Sequence, residues 1–399
     1  VTGAGKHLLV SPETGECQWS SRVPDNSWTV GDPSALQSLE AYAAVLGTRI
    51  PGIAPMAQAR AFEVLLGPDH SVRIPWRMVM TTGDFQVALQ SVLQAAQSVL
   101  CSLGQDRYGQ TYLRARGMLL GLNPATVDQA KINRYIRETE GGPSVASALR
   151  SFLPKEGSTA PPITYNQAAT VTGRLTVRTG PSILTLPARY RDILSSRFRG
   201  GSVVQVDFVS LEPRVARYVA GDEAPTDIYS HMCGALFDGE MTRDKVKLAT
   251  ISALYGMSSR RLTDLLTSES SAKTAIRQIR RYFSVGRLES QLQNELSALG
   301  SITSAMGRSI RPDTTTSHIL VSHYIQSTAA DVALLGFAQL TDRLEELGIN
   351  AIPLYVIHDA LLLDVSPEDL ECLRDEVGRG VDLPLGKFPI GMTSVSSAV

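Results

Sequence analysis

A β-branched run that ends on a carboxylate, Val203-Val204-Gln205-Val206-Asp207-Phe208, is followed at once by a helical pattern, and nothing else in the chain restricts folding as much. Leu211, Val215 and Val219 recur at steps of four, so they share one face of a helix that starts just after the strand ends. Asp207 is therefore presented where a strand hands over to a helix. Further on, Ile352 to Val365 places two apolar runs on either side of His358-Asp359, which predicts a hairpin with an acidic turn. Two carboxylates on two strands suit hard cations, because Mg²⁺ is commonly held by one or two carboxylates together with substrate phosphates. Taken singly, a strand-terminal aspartate is more often a turn-former or a cap.

A third pattern is Arg243, Lys247, Ile251 and Tyr255, spaced by four and stopped by Gly256. Each step of four turns about 400°, so the four side chains form one slowly drifting stripe roughly 18 Å long. Arg and Lys one turn apart repel by a few tenths of a kcal/mol, a cost that makes sense where an anion such as a triphosphate binds between them. The competing reading is a solvated basic face with Tyr255 filling the core. Charge matters here, since 38 Lys+Arg against 39 Asp+Glu give a net charge of -1. A polyanion partner then needs a local basic patch, and Arg174, Arg178, Arg189, Arg191, Arg197 and Arg199, opposed only by Asp192, supply a candidate.

Asn166-Gln167-Ala168-Ala169-Thr170-Val171-Thr172-Gly173-Arg174-Leu175 resembles the template-primer segment of family A DNA polymerases, the group of bacterial DNA polymerase I and many phage replicases. In the same order along the chain, Asp207-Phe208-Val209-Ser210-Leu211-Glu212-Pro213-Arg214 resembles that family's motif A, the Arg243 to Gly256 stripe its motif B, and His358-Asp359 its motif C. Gly307-Arg308 and Gln326-Ser327-Thr328-Ala329-Ala330-Asp331 are similar to family segments between B and C.

The resemblance implies a helix-rich α+β right-hand fold and a template-directed DNA polymerase that uses template-primer DNA, dNTPs and two Mg²⁺ ions. It implies metal ligation by Asp207, Asp359 and the Phe208 carbonyl, with Lys247 also a candidate proton donor. Arg243, Lys247, Ile251, Tyr255, Glu212 and Tyr229 would then face the nucleotide, with Glu212 as a gate against the ribose 2′ hydroxyl. Arg174, Gln326, His358, Arg308, Asn166 and Gln167 would face DNA. The family pattern is not followed everywhere: Ala360 stands where motif C usually has Glu, Ile251 where an aromatic is usual, and Tyr229 where a His is usual. The connection from Phe237 to Arg243 is also short, which suggests trimmed fingers. A single-subunit RNA polymerase, or an inactive nucleic-acid-binding scaffold, remains as an alternative.

The expected organisation follows from both readings. Residues 1–80, rich in Gly and Pro with a β-branched run at Ser71 to Ile74 and a helix near Pro33 to Leu46, read as a small mixed module of unknown role. Residues 85–160 read as a helical thumb, with Val87, Leu89, Val92, Leu93, Ala96 and Leu100 as its first apolar stripe. The main boundary is expected at Pro154 to Pro162. Residues 163–225 would be the first part of the palm, 226–300 the fingers and 301–399 the rest of the palm. Clustered acidic motifs of a proofreading exonuclease are missing upstream of residue 160. Cys17, Cys101, Cys233 and Cys372 lack zinc-ligand spacing, and no run approaches the length of a membrane span. A cytoplasmic protein of a bacterial or phage-infected cell is expected, and a chain opening on Val leaves room for an upstream domain or a separate accessory protein.

Overall fold

The computed structural model describes residues 7–10, 17–20, 28–31, 43, 46, 48, 80–103, 105–138, 142–256 and 269–396. The chain divides into two compact units, Val1–Leu113 and Arg114–Val399. In the first, strands Cys17–Ser20, His7–Val10 and Trp28–Gly31 form an antiparallel sheet with His7–Val10 in the middle. The expected helix near Pro33 to Leu46 and the run at Ser71 to Ile74 fall mostly or wholly outside the described residues. Helix Thr82–Leu103 is present, but its buried face is Phe85, Leu89, Val92, Ala96 and Val99. Val87, expected on that face, is 73% exposed, and Leu100 is half-buried. The period was legible, but Val87-Ala88-Leu89 leaves its phase ambiguous.

The boundary also lies elsewhere than at Pro154 to Pro162. That segment is stitched into the second unit: the Ala160 amide donates to Ala125 (2.8 Å), the Val127 amide donates to Ser158 (2.9 Å), and Ala160 is buried. Gly and Pro there shape a turn within the unit.

The second unit is built on a four-stranded antiparallel sheet. Its spatial order is Ala351–Ile357, Ala360–Val365, Ser202–Phe208, Ile390–Ser396. Every residue of Ala360–Val365 is buried, which requires cover on both faces and explains the apolar run Ala360 to Leu363, while the buried Asp364 is held by Arg197 and Ser196. The 30-residue helix Ser317–Glu346 packs against helix Leu211–Ala220, and it buries Phe337 against Phe208 with ring centroids 5.2 Å apart. Phe208 also meets Phe388 at 6.3 Å, so the last residue of its strand is held by aromatic contacts. Tyr165, in the short strand Thr164–Asn166, ties that segment to the sheet: its hydroxyl donates to the Val356 carbonyl (2.7 Å) and accepts from the Val356 amide (3.1 Å). Helices Ile228–Phe237, Arg243–Tyr255, Glu269–Tyr282 and Val285–Leu299 pack in sequence beside the sheet and its long helix. Among the described residues, no single helix is long and apolar enough to cross a membrane.

Candidate active site

Strand Ser202–Phe208 leads into helix Leu211–Ala220 through Val209 and Ser210, as the β-branched run predicts. Ser210 has φ of 56°, a left-handed conformation uncommon for a residue with a side chain. The hairpin is also as predicted: Ile357 pairs with Ala360, so His358-Asp359 is a two-residue turn, and His358 takes φ of 54°. Two strained residues within one turn of two carboxylates mark a place where backbone comfort has given way to side-chain position. Ala360 pairs directly with Asp207, and the Phe208 amide donates to the Asp359 carbonyl at 3.2 Å. The sheet register thereby brings the two aspartates together from positions 152 residues apart in the chain.

Asp207 and Asp359 share a cleft of about 380 Å³ with Glu212, Tyr229 and the whole predicted stripe, Arg243, Lys247, Ile251 and Tyr255. The opposite face of that helix, with Val246, Ala249, Thr250 and Ala253, is buried in the core. Gly256 ends the helix at φ of 66°, with His318 packed so close that an added Cβ would lie 2.3 Å from its ring. A second cleft, of about 300 Å³, adjoins at Glu212 and Asp359 and is lined by Arg174, Gln326 and His358 among others. Arg174 donates to Glu212 at 2.6 Å across the rim between them.

The electrostatics of the first cleft are unbalanced at the carboxylates and balanced at its outer wall. Burial, and then the charge of Asp359, push Asp207 up to about 6, against opposing help from Gln205, the Phe208 amide and Lys247. Asp207 Oδ1 is buried and has no hydrogen-bond partner among the described residues. An orphaned carboxylate oxygen beside a second carboxylate is a donor set short of positive charge, and it fits a divalent cation completed by water and phosphate oxygens. No cluster of three or more His, Cys, Asp or Glu side chains suited to a metal occurs among the described residues.

At the outer wall, Arg243 Nε donates to Asp227 at 3.0 Å, and its guanidinium lies 5.3 Å from the Tyr229 ring centre. Burial works to raise Asp227, but hydrogen bonds from Ser230 and Arg243 outweigh it and hold the carboxyl at about 2. Tyr229 is buried, which pushes its hydroxyl up to about 12 despite a hydrogen bond with Ser210. Burial likewise raises Tyr255, and the neighbouring Glu212 carboxylate adds to the effect.

Two residues expected to face DNA, Arg308 and Gln167, are buried instead. Arg308 is buried and makes a two-pronged ion pair with Asp331, Nη2 to Oδ1 at 2.9 Å and Nε to Oδ2 at 3.2 Å. Its Nη1 donates to the Gln167 carbonyl at 3.3 Å, and the Gln167 side chain is itself buried. Asn166 caps its own turn by accepting from the Ala168 amide at 2.9 Å. Arg308 lies directly under Gly173, where an added Cβ would come within 2.2 Å of its guanidinium carbon. It therefore supports the Arg174 loop from behind. Half of the basic run is committed: Arg191 bonds Gln205, Arg197 bonds Asp364, and Arg174 bonds Glu212. Asp227 was missed in the sequence, although an Asp before Ile228-Tyr229-Ser230 is a helix-cap signal.

A family model for DNA polymerase family A matches residues 130–383. The chain is 28% identical to the thermostable DNA polymerase I of Thermus aquaticus, over 54% of this chain and 30% of the relative. It is likewise 28% identical to DNA polymerase I of Bacillus caldotenax, over 52% of this chain and 27% of that protein. The match thus spans less than a third of either relative's length. The POL domain of Pol1 from M. smegmatis, solved in complex with DNA primer-template and dNTP, superposes with a TM-score of 0.61 at 15% identity, covering 90% of this chain and 78% of that one. That likeness establishes the fold, and the family match over well more than half the chain establishes membership: this chain belongs to DNA polymerase family A.

Proposed function

We propose that the chain is a template-directed DNA polymerase that extends a primer 3′ end with dNTPs. The observation that carries this reading is the convergence of Asp207 and Asp359 with Arg243, Lys247 and Tyr255 in one cleft. In this reading the four-stranded sheet with helix Ser317–Glu346 is the palm, and helix Arg243–Tyr255 belongs to the fingers.

Asp207 and Asp359 hold Mg²⁺, two ions, with the Phe208 carbonyl as a further oxygen. When bound, such ions neutralise the triphosphate and lower the pKa of the primer hydroxyl. Lys247 and Arg243 bind the triphosphate oxygens, and Lys247, on the cleft wall, is the candidate general acid towards the departing pyrophosphate. Asp227 occupies Arg243 Nε and caps helix Ile228–Phe237, which leaves the outer guanidinium nitrogens for phosphate. Glu212 stands between the two clefts and walls the ribose position against a 2′ hydroxyl. Arg174, Gln326 and His358 line the cleft where the primer terminus lies, with template affinity helped by the exposed Arg178, Arg189 and Arg199.

Primer extension with dNTPs, then with rNTPs, with and without Mg²⁺, tests the reading. Mg²⁺-dependent extension with dNTPs is expected, and Glu212→Ala should raise rNTP use relative to dNTP. Preference of the unaltered protein for rNTPs would instead indicate an RNA polymerase, and template binding without extension an inactive scaffold.

A further inference from the structure

We infer that Arg191 and Gln205 form a two-residue relay that sets the orientation of the Asp207 carboxylate, and so act as positioning residues for the metal site. Gln205 lies two residues before Asp207 on strand Ser202–Phe208, so the two side chains leave the same face of the sheet. Gln205 Nε2 donates to Asp207 Oδ2 at 3.4 Å, and Arg191 Nη1 donates to Gln205 Oε1 at 3.0 Å. The order of these bonds has only one sense. Turning the amide over would set its oxygen against a carboxylate and its NH₂ against a guanidinium, two donor or acceptor clashes in place of two bonds. Arg191 therefore decides which end of Gln205 faces Asp207, and Gln205 engages Oδ2 while Oδ1 stays buried and unpartnered.

The residues across the sheet make this relay matter. Asp207 is flanked in register by Ala360 on one side and Gly391 on the other, neither of which has a polar side chain. Ala360 is where the family pattern has Glu, so a third carboxylate is replaced by a methyl group directly opposite Asp207. Gln205 is the side chain that bonds Asp207 among the described residues. Orientation of a metal-binding carboxylate by outer hydrogen bonds typically changes metal affinity by about 10- to 100-fold.

The inference rests on the metal-binding reading of Asp207, and its test has one arm that needs no DNA. Mn²⁺ binding to the purified protein, followed by the electron paramagnetic resonance of free Mn²⁺, is compared for the unaltered protein, Gln205→Met, Arg191→Met and the double variant. The Mg²⁺ concentration for half-maximal single-nucleotide extension is measured on the same set, with thermal melting as a check of folding. Gln205→Met should weaken Mn²⁺ binding and raise the Mg²⁺ requirement by about 10-fold, while the rate at saturating Mg²⁺ stays within about 3-fold and primer-template affinity is unchanged. Arg191→Met should shift both in the same direction by a smaller factor. Arg191 acts mainly through Gln205, although its charge also reaches Asp207 directly, so the double variant should match Gln205→Met alone within about 3-fold. Unchanged Mn²⁺ and Mg²⁺ dependence in a folded Gln205→Met, or effects of the two changes that multiply, overturns the relay. Failure of the unaltered protein to extend a primer counts against the polymerase reading, while the Mn²⁺ arm still decides the relay.

Discussion

Arg243 and Arg308 are both arginines in segments that resemble family motifs, both pair with an aspartate, and they do opposite work. The side chains of Arg243 and Asp227 are 46% and 42% exposed on the wall of a cleft, whereas those of Arg308 and Asp331 are 6% and 2% exposed. An exposed pair adds about 0 to 1 kcal/mol to stability and keeps its outer nitrogens free for a ligand. A buried, two-pronged pair cannot give up a bond without stranding a charge, so it serves as framework. Matching a motif thus identifies the residue, but burial decides whether it touches substrate.

The largest effects should come from the two cleft aspartates, neither of which makes an ion pair among the described residues. Asp207→Asn or Asp359→Asn should lower the extension rate by about 10³-fold or more while leaving template-primer binding within a few-fold, since each removes charge compensation for metal and no DNA contact. Rapid-quench single-turnover kinetics with a binding titration checks both. A rate above about a tenth of the unaltered protein's in either variant breaks the assignment.

Removing one partner from each ion pair tests the comparison directly. Arg308→Ala leaves Asp331 buried and unpaired and should cost about 3 to 5 kcal/mol in denaturant unfolding. Exchanging both partners for apolar residues, Arg308→Met with Asp331→Leu, should recover most of it. Arg243→Ala should cost less than about 1 kcal/mol but raise the KM for dNTP about 10-fold. If Arg308→Ala instead unfolded normally and lost only DNA affinity, Arg308 would be a surface ligand.

Much of this arrangement was legible in local sequence. Strand-then-helix at Asp207, the hairpin at His358-Asp359 and the stripe from Arg243 to Tyr255 depend on periods of two and four within single elements, and the structure has all three. Partnerships between distant segments were not legible. Arg308 is 141 residues from the Gln167 carbonyl it holds, and Asp364 is 167 residues from Arg197. Hydrophobic periodicity reports neither which charges meet nor which face inward. The same blindness made Pro154 to Pro162 look like a linker, because Gly and Pro mark a turn whether it joins two units or folds back within one.

A third test uses acidity. Asp207 has a folded pKa of about 6 against an ordinary 3.8, so its protonated form is the one the fold favours. The associated stability is present below pH 3.8 and lost as pH rises through about 6. In metal-free buffer, Asp207→Asn should therefore melt above the unaltered protein at pH 8, by about 1 to 2 kcal/mol once solvent screening of the half-buried group is allowed for. The gap should close on acidification towards pH 4, and Mg²⁺ should raise the melting temperature of the unaltered protein only. A gap independent of pH would mean that Asp207 carries no such cost.

The smallest effect concerns Ile251, where an aromatic ring is usual in the family. Ile251 is half-buried and lines the same cleft as Lys247 and Tyr255, while Val246 and Ala249 face the core. Stacking of an aromatic ring on a base is worth roughly 1 to 3 kcal/mol, and a β-branched aliphatic recovers only part of that by dispersion. Ile251→Tyr should lower the apparent KM for dNTP several-fold, about 1 kcal/mol of regained contact, and increase use of nucleotides without a 3′ hydroxyl. Because the side chain points into open space, the larger ring should leave the melting temperature almost unchanged. The opposite pairing, an unchanged KM with a lower melting temperature, would mean that the ring overpacks the interior and that this position belongs with the buried face of its helix.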